Sequence, residues 1–155
     1  MDKNNFKLDN IDIYKSSLIS KEATFKHIAE FISSKINISA QIILEGLHQR
    51  ERESSTYIGE GVAIPHVILQ EAQTAHVFLH LPQNKVDYQS YDLKLVDIIF
   101  TLVIPKDKYN KEHLKQISLL ATHLLDETFQ KFLREEKDKV KLFEKINKIQ
   151  EELWK

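Results

Sequence analysis

From Val96 to Ile104 the chain runs almost without interruption through β-branched and apolar residues, and it ends on Pro105. A strand with one face in water alternates apolar and polar side chains, whereas one that is apolar throughout must be covered on both faces. This run therefore predicts a central strand with a layer of structure on either side. A second strand is predicted over Thr74–Leu81, where Ala75, Val77, Leu79 and Leu81 fall on one face.

The flanking segments supply the covering layers. Ser20 is placed to cap a helix over Lys21–Ser34, in which Phe25, Ile28, Ala29 and Ile32 recur at the spacing of one helical face. Ser39 can cap a second helix to about Glu53, and Ile43, Leu47 and Arg50 share one side of it. Asn110 is placed to cap a third helix to about Leu125, and helical segments follow from Asp126 to Arg134 and from Asp138 to near Trp154. Helices first, strands in the middle and helices last predict an α/β fold, a small mixed β-sheet sandwiched by helices on both faces. Residues 1–19 read as an N-terminal arm or edge strand, and residues 20–155 as a single domain with one core.

Composition removes whole classes of function. Lys and Arg total 22 against 23 for Asp and Glu, so the net charge of -1 gives no broad attraction for nucleic acid or an anionic membrane. There is no cysteine, hence no disulfide, no thiolate nucleophile and no sulfur-ligated zinc, in keeping with a reducing compartment. Met1–Asn10 lacks the apolar core of a signal peptide and no 18-residue apolar run occurs, so the expectation is a cytoplasmic protein without direct membrane insertion.

Seven histidines carry the remaining chemistry. His76 and His80 are four apart in a predicted strand, about 13 Å, too far to share one metal ion. His113 and His123 diverge along their helix. No zinc spacing, phosphate-binding Gly-x-x-x-x-Gly-Lys loop or Gly-x-Ser-x-Gly elbow is present, and no metal or cofactor is predicted.

His66 follows Val62-Ala63-Ile64-Pro65, where the proline holds Ile64 extended and withdraws a backbone donor, so a strand is expected to end there and present the imidazole. Two of the three glycines, Gly59 and Gly61, lie just upstream and mark special backbone positions. His113 falls within about 40° of Ile117, Leu120 and Leu124 around its helix and occupies a first turn, where free amides favour an anion. Arg50 extends an apolar stripe, and an inward guanidinium demands an anionic partner: either a structural carboxylate such as Glu51 or Glu60, or a ligand.

The stretch Arg50-Glu51, Ser55-Thr56, Ile58-Gly59 and Gly61-Val-Ala-Ile-Pro-His66 resembles, without a gap, the active-site signature of the fructose and mannitol class of phosphotransferase-system EIIA domains (type 2). His113-Leu114-x-x-Ile117-x-x-Leu120-Ala121 is similar to the same family's His-Leu helix, and the resemblance extends over about Ser20 to Ile149. Val67 stands where the family usually has a small residue, and Tyr91-Asp92-Leu93-Lys94 replaces its usual Asp-Gly turn.

The resemblance implies a phosphoryl carrier. His66 would accept phosphate from the phosphohistidine of an HPr-type phosphocarrier protein, through Nε2, and pass it to a cysteine of an EIIB domain during sugar uptake. A regulatory module controlling a transcription regulator or an enzyme is the alternative. Arg50 and His113 would supply positive charge to the transferring group, each well-placed donor contributing about 3 kcal/mol. Thr56 would bond the phosphoryl oxygens, Glu51 would steady Arg50, and no nucleotide would be needed.

Overall fold

A computed structural model describes residues 6–108 and 111–153, with the backbone alone for Lys108, Lys111, Glu112, His113, Gln116, Glu152 and Leu153. The strands are β1 (Ile11–Tyr14), β2 (Tyr57–Gly59), β3 (Val62–Ala63), β4 (His66–Leu69), β5 (His76–Pro82) and β6 (Ile98–Pro105). The helices are α1 (Lys21–Lys35), α2 (Ala40–Glu53), α3 (Lys111–Leu124), α4 (Glu127–Glu135) and α5 (Lys139–Leu153). They form the α/β sandwich expected, around one six-stranded sheet of order β1-β5-β6-β3-β2, with β4 also paired to β6.

The sheet is mixed: β5 and β2 run antiparallel to their inner neighbours, while β1, β3 and β4 pair in parallel. Every residue of β6 is buried. Ile99 and Val103 face the layer that holds Phe25, Ile28, Ile32, Ile43 and Leu47 of α1 and α2. Ile98, Phe100, Leu102 and Ile104 face Leu124, Phe129, Leu133, Leu142 and Ile146 of α3, α4 and α5. Each such aliphatic side chain contributes roughly 1.5–3 kcal/mol on burial. The nearly continuous apolar run is thus two alternating sets, one for each layer.

Helix starts follow the capping chemistry. Ser20 Oγ accepts from the Ala23 amide, Ser39 Oγ from Ile42 and Asp126 Oδ2 from Phe129. The predicted cap Asn110 lies outside the described residues. The tight β2–β3 turn has positive φ at Gly59, Glu60 and Gly61, and α4 fastens it: Arg134 donates to the Glu60 carbonyl at 2.6 Å and grips both Asp97 oxygens.

One expectation needs correction. Val62-Ala63-Ile64-Pro65 does not end the sheet at His66; β3 stops at Ala63, and His66 opens a second short strand, β4, on the same side of β6. Pro65 only interrupts the ladder, because its carbonyl still accepts from the Leu102 amide at 3.0 Å. Val67 and Leu69 then supply the buried positions that continue the pairing.

At the other side of β6 a buried polar network joins four elements. Asp12 Oδ2, on β1, accepts from His27 of α1 at 2.8 Å and from His80 of β5 at 2.9 Å. His80 is fully buried, and its Nε2 takes a hydrogen bond from Thr101 of β6 at 3.0 Å. Burial disfavours the Asp12 carboxylate, yet the two imidazole donors outweigh it and bring its pKa from 3.8 to about 2. Because the folded value is the lower one, the stabilisation is complete above pH 4 and is lost as pH falls towards 2. It amounts to about 2 kcal/mol. Denaturant unfolding between pH 5 and pH 2 is expected to show this loss in the wild type and not in Asp12→Asn; parallel pH profiles for the two proteins would refute it.

Candidate functional site

Two local features bring α2 onto β4. The third glycine, Gly46, lies where a methyl group would meet Leu69 Cδ2 at 3.2 Å and the Val67 side chain at 3.5 Å. Val67 is buried in the α1/α2 layer. A helix residue without a side chain thus makes room for the larger residue that follows His66, and the close approach carries the end of α2 to the ring.

Arg50 Nε donates to His66 Nε2 at 2.9 Å. A guanidinium can only donate, so Nε2 must be the acceptor and the ring proton must sit on Nδ1. Nδ1 in turn faces the Ile64 carbonyl oxygen at 3.3 Å. Two contacts therefore fix the tautomer and leave the Nε2 lone pair as the ring's nucleophilic position. Burial first, and the Arg50 charge second, lower the His66 pKa from 6.5, against smaller opposing effects of the Ile64 carbonyl and of Glu53 and Glu51. The imidazole is neutral at pH 7.

Arg50 is held from behind by the Ser54 carbonyl at 2.9 Å and the Ser54 hydroxyl at 3.4 Å. The carboxylates proposed as its structural partners are engaged elsewhere, Glu60 with Lys94 and Glu51 with Lys21. The ring and the guanidinium line an open hollow of about 370 Å³, shared with Glu53, Ile68, Glu71 and Lys106. A neutral ring nitrogen whose lone pair is engaged only by a guanidinium, at the wall of an open hollow, suits an incoming anion that can draw that guanidinium away.

The other predicted site residues are placed differently. Thr56 is buried, and its hydroxyl donates to Glu51 Oε1 at 2.7 Å while bonding the Tyr88 hydroxyl. Glu51 Oε2 accepts from Lys21 Nζ at 2.6 Å, and Glu51 also receives the Thr56 amide. Burial works to raise the Glu51 pKa, but Lys21 and Thr56 override it, and the carboxylate stays below the usual range. Glu51 and Thr56 thus tie the start of the β2–β3 hairpin to α2 and α1, rather than facing the hollow, and the described hydrogen bonds steadying Arg50 come from Ser54. His113 lies in the first turn of α3, and its side chain is outside the described residues. Neither Lys106 nor Ser54 stands out in the sequence; each follows directly on the end of an element and lies in a run of polar residues, with no periodicity to flag it.

Among the described residues no cluster of three or more His, Asp or Glu is arranged to hold a metal ion, and no helix is long and apolar enough to cross a membrane.

Comparison with known proteins places the chain in a family. The chain belongs to the family described as phosphoenolpyruvate-dependent sugar phosphotransferase system, EIIA 2, whose model matches residues 4–149. It is 35% identical over 129 residues to a nitrogen regulatory protein of Klebsiella oxytoca, covering 82% of this chain and 78% of that protein. A fructose-specific EIIABC component of Bacillus subtilis is 31% identical over 115 residues, covering 74% of this chain and 18% of that much longer protein. The crystal structure of the nitrogen regulatory protein IIA-Ntr from Neisseria meningitidis superposes with a TM-score of 0.80 at 26% identity, over 88% of this chain and 92% of that one.

Replacing Arg50 by Gln removes the positive charge that disfavours protonation of the ring. The His66 pKa, followed by NMR titration of the imidazole, is expected to rise towards its ordinary value in Arg50→Gln. An unchanged or lower value would show that Arg50 does not set the protonation of His66.

Proposed function

We propose that His66 is a phosphoryl carrier and that its phosphorylation state serves regulation. The observation that carries the first part is the Nε2 lone pair, fixed by the Ile64 carbonyl and held against Arg50. In the proposed step Arg50 swings off Nε2 as the phosphoryl group of a phosphohistidine on an HPr-type phosphocarrier protein arrives. The Nε2–P bond forms while the donor's N–P bond breaks, the leaving imidazole keeps the electron pair, and the Nδ1 proton stays in place. Charge spreads over three phosphoryl oxygens, so positioning and preorganised positive charge dominate the catalysis. Arg50 re-engages those oxygens, and His113, from the first turn of α3, is the second donor.

Glu51 and Thr56 act in this reading by bracing the hairpin that leads to His66. No metal or nucleotide takes part, since the incoming group is already activated. The neutral imidazole is nucleophilic near pH 7 without a separate base.

The regulatory output is supported by the nitrogen regulatory relatives, which match most of this chain and most of their own length. The second reading, relay to an EIIB cysteine in sugar uptake, is favoured by the fructose-specific relative, in which a domain of this kind is one part of a larger protein.

With phosphoenolpyruvate, enzyme I and HPr, the wild type is expected to take up one phosphate and His66→Ala none. Arg50→Ala is expected to remain folded and to accept phosphate about 100-fold more slowly. Full labelling of His66→Ala would reject the assigned nucleophile. Adding candidate EIIB proteins to the labelled chain separates the outputs: rapid loss of label to a cysteine supports transport, and retention supports regulation.

A further inference from the structure

The hollow that holds His66 has a second cation which the family signature does not contain. Lys106 is the first residue after β6, and the parallel register of β4 on β6, with His66 opposite Leu102 and Leu69 opposite Pro105, carries it to the same hollow. Its side chain is exposed, and it lines the hollow together with Glu71 and Glu53.

The charges around this hollow explain why a second cation matters. Among the described lining residues, Arg50 and Lys106 are positive and Glu53 and Glu71 negative, while His66 is neutral. The balance is close to zero before a phosphoryl group enters. That group brings close to two negative charges, and without Lys106 it would enter a hollow already net negative. Arg50 alone must also leave Nε2 before it can meet the phosphoryl oxygens, so during approach its charge is only partly available. An exposed cation on a flexible stem, not engaged with Nε2, can meet the group earlier.

We propose that Lys106 is a second electrostatic residue of the phosphoryl-transfer hollow, drawing the donor's phosphoryl group in and offsetting its charge once it is on His66. The proposal rests on the reading of His66 as the carrier. It concerns charge and not shape, so substitutions that preserve charge must preserve the effect.

Phosphate acceptance from phosphorylated HPr is measured for the wild type, Lys106→Met, Lys106→Glu and Lys106→Arg, alongside labelling by phosphoramidate, a small donor without a protein surface. The expected order of rates is Arg close to wild type, Met slower by about 10-fold, and Glu slower still. Both donors are expected to show it, with the differences between variants shrinking as salt is raised. Equal rates for Met, Glu and wild type would overturn the proposal, as would a loss in Lys106→Arg as large as in Lys106→Met, since that would mark a packing effect. The order with phosphorylated HPr but not with phosphoramidate would also overturn it, because Lys106 would then contact the donor protein and not the phosphoryl group. Failure of the carrier reading is seen separately, as a wild type that takes no label or a His66→Ala that does.

Discussion

Burial of β6 on both faces is the constraint from which the rest of the molecule follows. Three strands pair directly with it, β5 on one side and β3 and β4 on the other, and its alternating side chains form the contact surface for both helical layers. A strand in that position cannot face water without exposing a row of large apolar side chains, so the two layers and the sheet are stable only together. The one polar break in its interior, Thr101, is not a defect in this arrangement. It closes the Asp12–His80 network, which is fully hydrogen-bonded and therefore compatible with burial.

The candidate site exists where this order is interrupted. Pro65 splits what would have been one strand into β3 and β4, and the interruption places the Ile64 carbonyl next to the His66 ring instead of in the ladder. The same backbone irregularity that shortens the strands therefore fixes the tautomer. Gly46 and Val67 set the other coordinate, the distance from α2 to β4. Where the family resemblance leads one to expect a small residue after the histidine, this chain carries Val67 and relieves the crowding from the helix side. The Arg50–His66 contact is in this sense a consequence of packing on the far face of β4.

Much of this was legible in the sequence because it depends on local chemistry. The Ser20 and Ser39 caps, the amphipathic stripe of α1 and the doubly buried run of β6 are each specified within a few residues, and each occurs where that chemistry puts it. Of the short strands from Tyr57 to Leu69 only the one before Pro65 was legible: two to four residues carry no measurable period, and β3 and β4 pair with residues of β6 about 36 positions away. The site divides in the same way. Arg50 announces itself by lying on an apolar helical stripe, and His66 by the proline before it. The hydrogen bonds of Glu51 to Lys21 and Thr56 join α2 to α1 and to the hairpin, and no spacing along the chain encodes such a contact. Ser54 reaches Arg50 only because α2 ends where it does.

In the proposed carrier role, the bond between Arg50 and His66 reconciles two demands that otherwise conflict. A phosphoryl acceptor must be unprotonated at neutral pH, yet a phosphoryl group needs positive charge around it, and positive charge from protonation of the acceptor itself would abolish the nucleophile. Placing a permanent cation on the lone pair meets both requirements: the guanidinium disfavours protonation of the ring and remains available when the oxygens arrive. A lysine in its place could shed its proton under the same desolvation, which arginine does not. The hydrogen bond also occupies the lone pair while no phosphoryl group is present, so the ring is shielded from other electrophiles until something that attracts the guanidinium more strongly enters the hollow. An anion does so and a neutral molecule does not, so in the proposed role the same contact would select for phosphoryl donors.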